Sequence, residues 1–100
     1  MIYGIRPKRT FREAATKYLL EEYKRSLHRD AQDLNLIVPF IGDLSLDQVH
    51  METLKPFIAA RRKAGVKSGT VNRTFATVRR VLNLAARLWR DENGLSWLET

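Results

Sequence analysis

The chain has no cysteine, which excludes disulfides, thiol chemistry and cysteine-ligated zinc. Its only two histidines, His28 and His50, have no carboxylate at HExxH or other metal-ligand spacing. Each reads as a surface or capping residue, and neither a metal nor a cofactor is expected. No nucleophile elbow and no Gly-rich phosphate cradle occurs, so nothing points to catalysis. No run approaches the roughly 20 apolar residues of a membrane span. The basic start, Arg6-Pro7-Lys8-Arg9, has no apolar run behind it of the kind a signal peptide carries. A cytoplasmic protein without a membrane partner is therefore expected. Strand patterning is missing as well: apolar and polar residues do not alternate over a useful length, and β-branched residues fall on helical stripes. The expected fold class is all-α.

What the sequence does hold is helix periodicity and positive charge. One hundred residues with 44% apolar side chains fit a single domain with a modest core. A net charge of +7, from 18 Lys and Arg against 11 Asp and Glu, draws the molecule to polyanions, nucleic acid first. An anionic membrane surface competes as partner. It would need a helix with its apolar face open to lipid, which a compact bundle uses for its own core.

Thr10 followed by Glu13 matches a capping box and opens a first helix. Phe11, Ala14, Ala15, Tyr18, Leu19 and Tyr23 form its apolar stripe, which predicts a helix to about Ser26 or Leu27 and places Tyr18 and Tyr23 in the core. His28-Arg29-Asp30 reads as a break, with Asp30 the N-cap of a second helix carrying Leu34, Ile37, Val38 and Ile41. Pro39 kinks that helix or ends it near Ile37. Gly42-Asp43 marks a turn, and Ser45 or Asp47 caps a brief helical turn with Leu46 and Val49 inward. A third helix covers roughly Glu52 to Lys63, with Pro56 in its first turn and Gly65 as its C-cap. Lys67-Ser68-Gly69-Thr70 launches the fourth and longest helix, whose Val71, Phe75, Val78, Leu82, Ala85 and Trp89 share one face. Arg73, Arg80 and Arg87 lie on the opposite face, flanked by Asn72, Ala76 and Asn83. That helix frays at Asp91-Glu92-Asn93-Gly94, after which Leu95, Trp97 and Leu98 fold back or begin a linker.

Basic residues gather at Arg6, Lys8, Arg9 and Arg12; at Lys24, Arg25, His28 and Arg29; at Arg61, Arg62, Lys63 and Lys67; and at Arg73, Arg79, Arg80, Arg87 and Arg90. A charge run alone is usually a solvated helix face. The segment from Lys67 to Arg73 adds hydroxyls and the N–H groups of a helix start, which together suit phosphate oxygens. Lys67 supplies a point charge and Arg73 a bidentate fork. Asn72 either supports the helix start or reads an adenine edge in a major groove.

Four segments in this order resemble the core-binding domain of tyrosine recombinases and phage integrases. They are Thr10-Phe11 opening the first helix, Val38-Pro39-Phe40-Ile41-Gly42-Asp43, Leu54-Lys55-Pro56-Phe57-Ile58, and Ser68-Gly69-Thr70-Val71-Asn72-Arg73 running into Val78-Arg79-Arg80-Val81-Leu82-Asn83-Leu84-Ala85. The resemblance implies a compact four-helix SAM-like orthogonal bundle over residues 10–98, preceded by a basic arm or linker end at 1–9. It implies one half of a clamp around double-stranded DNA at a core recombination site, in a protein encoded by a bacterium or phage and associated with the nucleoid. The catalytic domain, with its nucleophilic tyrosine, is expected to be absent from this chain, so none of Tyr3, Tyr18 and Tyr23 is that nucleophile. The isolated domain is expected to be monomeric and to meet other recombinase subunits in a synaptic complex. Carried over by position, the DNA-facing residues are Lys67, Ser68, Thr70, Asn72, Arg73, Thr77 and Arg80, with Arg25, His28 and Arg29 at the junction of the first two helices. One departure stands out: many relatives pass from the last helix into an Asn-Pro pair, where this chain has Asn93-Gly94 and then Trp97-Leu98-Glu99.

Two other classes compete. One is a helical protein-interaction module whose basic ridge meets an acidic partner. The other is a helix-turn-helix transcription regulator, which the sequence disfavours because no short first helix closely abuts a recognition helix around Gly65 to Thr70.

Overall fold

In the computed structural model, which describes residues 8–22 and 27–98, the capping box at Thr10 forms. The Thr10 hydroxyl accepts from the Glu13 backbone N–H at 3.2 Å, and the Thr10 N–H donates to the Glu13 carboxylate at 3.3 Å. Helix α1, Phe11–Glu21, follows and buries Phe11, Ala14, Ala15 and Tyr18. Two of its orphan first-turn donors are satisfied from another part of the chain: Phe11 N–H donates to the Leu44 carbonyl and Arg12 N–H to that of Gly42. The helix stops short of the expected Ser26 or Leu27, with Glu22 already extended. Glu21 and Glu22 face the negative pole of the helix with no basic residue in the last turn. Tyr23 lies outside the described residues.

Helix α2, Leu27–Ile41, begins before Asp30, which corrects the expected break at His28–Asp30. Asp30 is no cap: it sits in the first turn, buried, with its carboxylate accepting from Tyr18. Nor does Pro39 end the helix near Ile37. The donor that proline removes would have served the Asn35 carbonyl, and both residues are exposed, so the missing bond falls on the solvent side of the helix. Ile37 and Ile41, both fully buried, anchor the opposite side. Gly42 N–H then closes on the Val38 carbonyl at 2.7 Å, and a Cβ on Gly42 would lie 2.6 Å from that same oxygen, which is why glycine stands there.

A 3₁₀ turn, Leu46–Gln48, turns Leu46 and Val49 inward as expected. Helix α3, Met51–Lys63, places Pro56 beyond its first turn, correcting that expectation; Pro56 and Glu52, whose carbonyl loses a partner, are both exposed. It ends in a Schellman motif, with Gly65 at φ 79°, Gly65 N–H on the Arg62 carbonyl and Val66 N–H on that of Arg61. Helix α4, Ser68–Arg87, spans 20 residues.

Helix α2 is the hub. Helices α1, α3 and α4 all pack on it and α4 also packs on α1, while α3 meets α4 through the tilted ring pair of Phe57 and Phe75 at 5.9 Å. Fully buried Phe11, Tyr18, Leu34, Ile37, Ile41, Phe57 and Val81 fill the centre. Among the described residues the only β-pairings are the isolated bridges Thr10 to Ser45 and Arg90 to Ser96, so the chain is an all-α four-helix bundle. The tail folds back: Trp97 N–H donates to the Trp89 carbonyl, Leu98 N–H to that of Ala85, and the two indoles meet edge to face at 5.3 Å. The Arg9 guanidinium lies 4.1 Å from the Trp97 ring centre, and the Lys17 ammonium sits about as far from Trp89 as from Trp97.

Candidate nucleic-acid interface

Charge in this chain is polarised along the sequence. Residues 53–90 hold ten of the 18 Lys and Arg and none of the 11 Asp and Glu; the remainder carries eight cations against eleven carboxylates. The fold preserves the separation. Every described cation of residues 8–22 has a carboxylate partner: Lys8 with Asp47, Arg9 with Glu13, Arg12 with Asp43 and Lys17 with Glu21. In residues 53–90 only Lys55, with Glu52, and Arg80, with Asp30, are paired among the described residues. Arg61, Arg62, Lys63, Lys67, Arg73, Arg79, Arg87 and Arg90 are not.

Helix α4 organises this surface. Asn72, Arg73, Ala76, Arg79, Arg80, Asn83 and Arg87 are exposed, which puts the expected arginine ridge in solvent. The inward face differs from expectation. Val71, Thr74, Thr77, Val78, Val81 and Ala85 are buried, while Phe75 and Leu82 are only half-buried. At 100° per residue this is a rotation of roughly 50°. Its cause is Asp33 on α2, 2% exposed, which accepts from the Thr74 hydroxyl at 3.2 Å and the Thr77 hydroxyl at 3.4 Å. A buried carboxylate needs donors, and turning the two threonines inward supplies them. Thr77, expected on the DNA-facing surface, is therefore a core residue at 3% exposure.

Arg80 borders Thr77 on the helix and reaches back toward α1 and α2. Its Nη1 donates to the Tyr18 hydroxyl at 3.3 Å and to Asp30 Oδ2 at 3.4 Å, while Tyr18 donates to the same Asp30 oxygen at 2.7 Å. The Tyr18 hydrogen bond, with the Asp30 charge behind it, raises an already high guanidinium pKa despite partial burial, so Arg80 stays charged. Neither the Tyr18–Asp30–Arg80 network nor the Asp33–Thr74–Thr77 network is anticipated from the sequence. The available signal is that Asp30 and Asp33 fall on the same stripe of α2 as Leu34, Ile37 and Ile41.

The start of α4 is open. Lys67 occupies the N-cap position without a side-chain cap bond, and no acidic residue lies in the first turn. Lys67, Ser68, Asn72 and Arg73 are exposed and Thr70 is half-buried. A Cβ on Gly69 would meet nothing within 4 Å. Between α3 and α4 lies a hollow of about 460 Å³, with Ile58, Val66, Val71 and Phe75 as its apolar lining and Arg62 and Arg79 among its polar residues. On α2, His28 and Arg29 are exposed, the former 3.4 Å from the Gln32 amide. Arg29 precedes Asp33 by four residues, on the flank that borders α4. Arg25 lies outside the described residues. The structure thus groups Lys67, Ser68, Asn72 and Arg73 at one helix start, places Arg80 farther along α4, sets His28 and Arg29 on the neighbouring helix, and removes Thr77. Arg62 and Arg79, which share the hollow with Ser68 and Asn72, lie outside the expected contact set.

Among the described residues no group of His, Asp and Glu could hold a metal ion, and no helix is long and apolar enough to cross a membrane. No curated protein and no solved structure matches the chain. The family model of the phage integrase N-terminal SAM-like domain matches residues 16–88, which takes in half of α1 and all of α2, α3 and α4. With that match over a four-helix bundle, the chain belongs to the phage integrase N-terminal SAM-like domain family.

Proposed function

We propose that this domain binds double-stranded DNA for a site-specific tyrosine recombinase, gripping the core site while a separate catalytic domain carries the strand chemistry. One observation carries the reading: apart from Lys55 and Arg80, the cations of α3 and α4 have no carboxylate partner among the described residues, while the described cations near the N-terminus are paired. A surface of unpaired cations around an uncapped helix start suits phosphate oxygens, because backbone N–H groups and side-chain charge converge there. Lys67, Ser68, Asn72 and Arg73 are the central contacts, Thr70 borders them, and Arg80, His28 and Arg29 extend the surface. Arg25 belongs to the same proposal by position. Other recombinase subunits and a monomeric isolated domain complete it.

In isolation the domain binds duplex DNA with Kd of about 10⁻⁴ to 10⁻⁶ M, falling steeply with salt. Arg73→Ala and Lys67→Ala each weaken binding and lower the magnitude of the salt slope by about one. Fluorescence anisotropy against a mixed-sequence duplex over a salt series checks both; parent-like binding by both variants overturns the assignment of this surface.

The apolar hollow between α3 and α4 favours a second reading, a docking site for an acidic amphipathic helix, with Arg62 and Arg79 meeting its carboxylates. Loss of duplex binding with Arg62→Ala and Arg79→Ala would assign these arginines to DNA instead.

A further inference from the structure

Arg80 is tethered at one nitrogen only. Nη1 makes both of its hydrogen bonds, to Tyr18 and to Asp30, whereas Nε and Nη2 make none among the described residues, and the side chain remains 48% exposed. The tether itself is buried. Tyr18 is fully buried on α1, Asp30 is 5% exposed on α2, and the 2.7 Å bond between them joins the two helices beneath the guanidinium. A long arginine loses considerable rotamer freedom when it is ordered on a ligand. Here the fold has already ordered it.

We infer that Tyr18 and Asp30 are positioning residues that hold the Arg80 guanidinium by its Nη1 corner, so that its outward Nε and Nη2 edge is presented ready-made to a phosphate group of DNA. That edge carries two parallel N–H donors, the fork that grips two oxygens of one phosphate, and a lysine cannot reproduce it. Asp30 therefore does more than cancel a charge. It spends one corner of the guanidinium to fix the direction of the other two donors, in the manner of a supporting shell behind a binding group. The inference rests on the DNA-binding reading and adds to it two residues that never touch the nucleic acid.

A double-mutant cycle on this chain tests it, read by anisotropy with a mixed-sequence duplex at low salt. Tyr18→Phe keeps the ring in the core and the net charge unchanged. It is expected to weaken duplex binding roughly three- to tenfold, the worth of one hydrogen bond, without altering the salt slope. Arg80→Ala is expected to reduce the slope by about one. In the Arg80→Ala background, Tyr18→Phe should have no further effect, which a general loosening of the fold would not produce. Arg80→Lys, a surface change that retains charge, should lose affinity as well. Equal weakening by Tyr18→Phe in both backgrounds, or unchanged binding by Tyr18→Phe or Arg80→Lys, overturns the positioning role. If Arg73→Ala still weakens binding in that case, the DNA-binding reading survives; if the parent chain does not bind duplex at all, both fall together.

Discussion

Among the described residues Asp33 has two threonine hydroxyls as its donors and no cation, in a position almost closed to water. Removing either donor leaves part of a buried charge without compensation, which typically costs about 1–3 kcal/mol. Thr77→Val preserves shape and deletes one hydroxyl; urea unfolding should register a loss in that range while duplex affinity stays at the parent value. Weakened DNA binding at unchanged stability would instead return Thr77 to the contact surface. Asp47 illustrates the opposite, exposed case. The Lys8 ammonium at 2.8 Å, helped by the Ser45 hydroxyl, holds its carboxyl below the ordinary value of 3.8. A depressed folded-state pKa stabilises above the unfolded value and loses that contribution as pH falls through the folded one. Asp47→Asn should therefore lower the melting temperature slightly near neutral pH and low salt, with the difference vanishing in strong acid; a difference that persists there would deny the ion pair its role. Polar residues such as Asp30 and Thr77 are misread from sequence because each is judged beside its chain neighbours, whereas their partners lie on other helices.

Features set by a few consecutive residues are legible at the level of the element. The Thr10–Glu13 box and the Gly65 cap follow from short-range chemistry, and both form as expected. The course of α2 through Pro39 and the rotation of α4 are not legible, because one depends on which side of the helix water reaches and the other on a carboxylate of a different helix. The arginine ridge of α4 survives that rotation, since Arg73 and Arg87 lie far enough from the inward face to stay exposed. Gly69 offers a test confined to the first turn of α4. With open space around its missing Cβ and no left-handed backbone, Gly69→Ala should raise stability by about 0.4–1 kcal/mol through the unfolded chain. If a phosphate rests against this turn, the added methyl should at the same time weaken duplex binding. Thermal melts and anisotropy on one variant thus separate the two effects, and undiminished binding would move the DNA away from the helix start.

For the whole molecule, the division of charge means that the side bearing α4 attracts polyanions while the rest of the chain, with more carboxylates than cations, does not. That division is visible in the sequence as 38 consecutive residues, 53–90, without Asp or Glu. The packing of Arg9 on Trp97 is not, because it joins residues nearly the full length of the chain apart. Trp97→Ala should speed hydrogen exchange at the backbone amides of residues 95–98 while those of Ile37 and Val81 in the core keep their protection; a uniform rise across all helices would show instead that the indole is part of the global core. The contact between Arg9 and Trp97 joins residues almost as far apart along the chain as any in this fold, so chain entropy weighs heavily against it. It should accordingly form late in folding and be among the earliest to part, leaving Arg9 tied through its carbonyl to Leu46 and Leu98 tied to Ala85, each on its own side of the bundle.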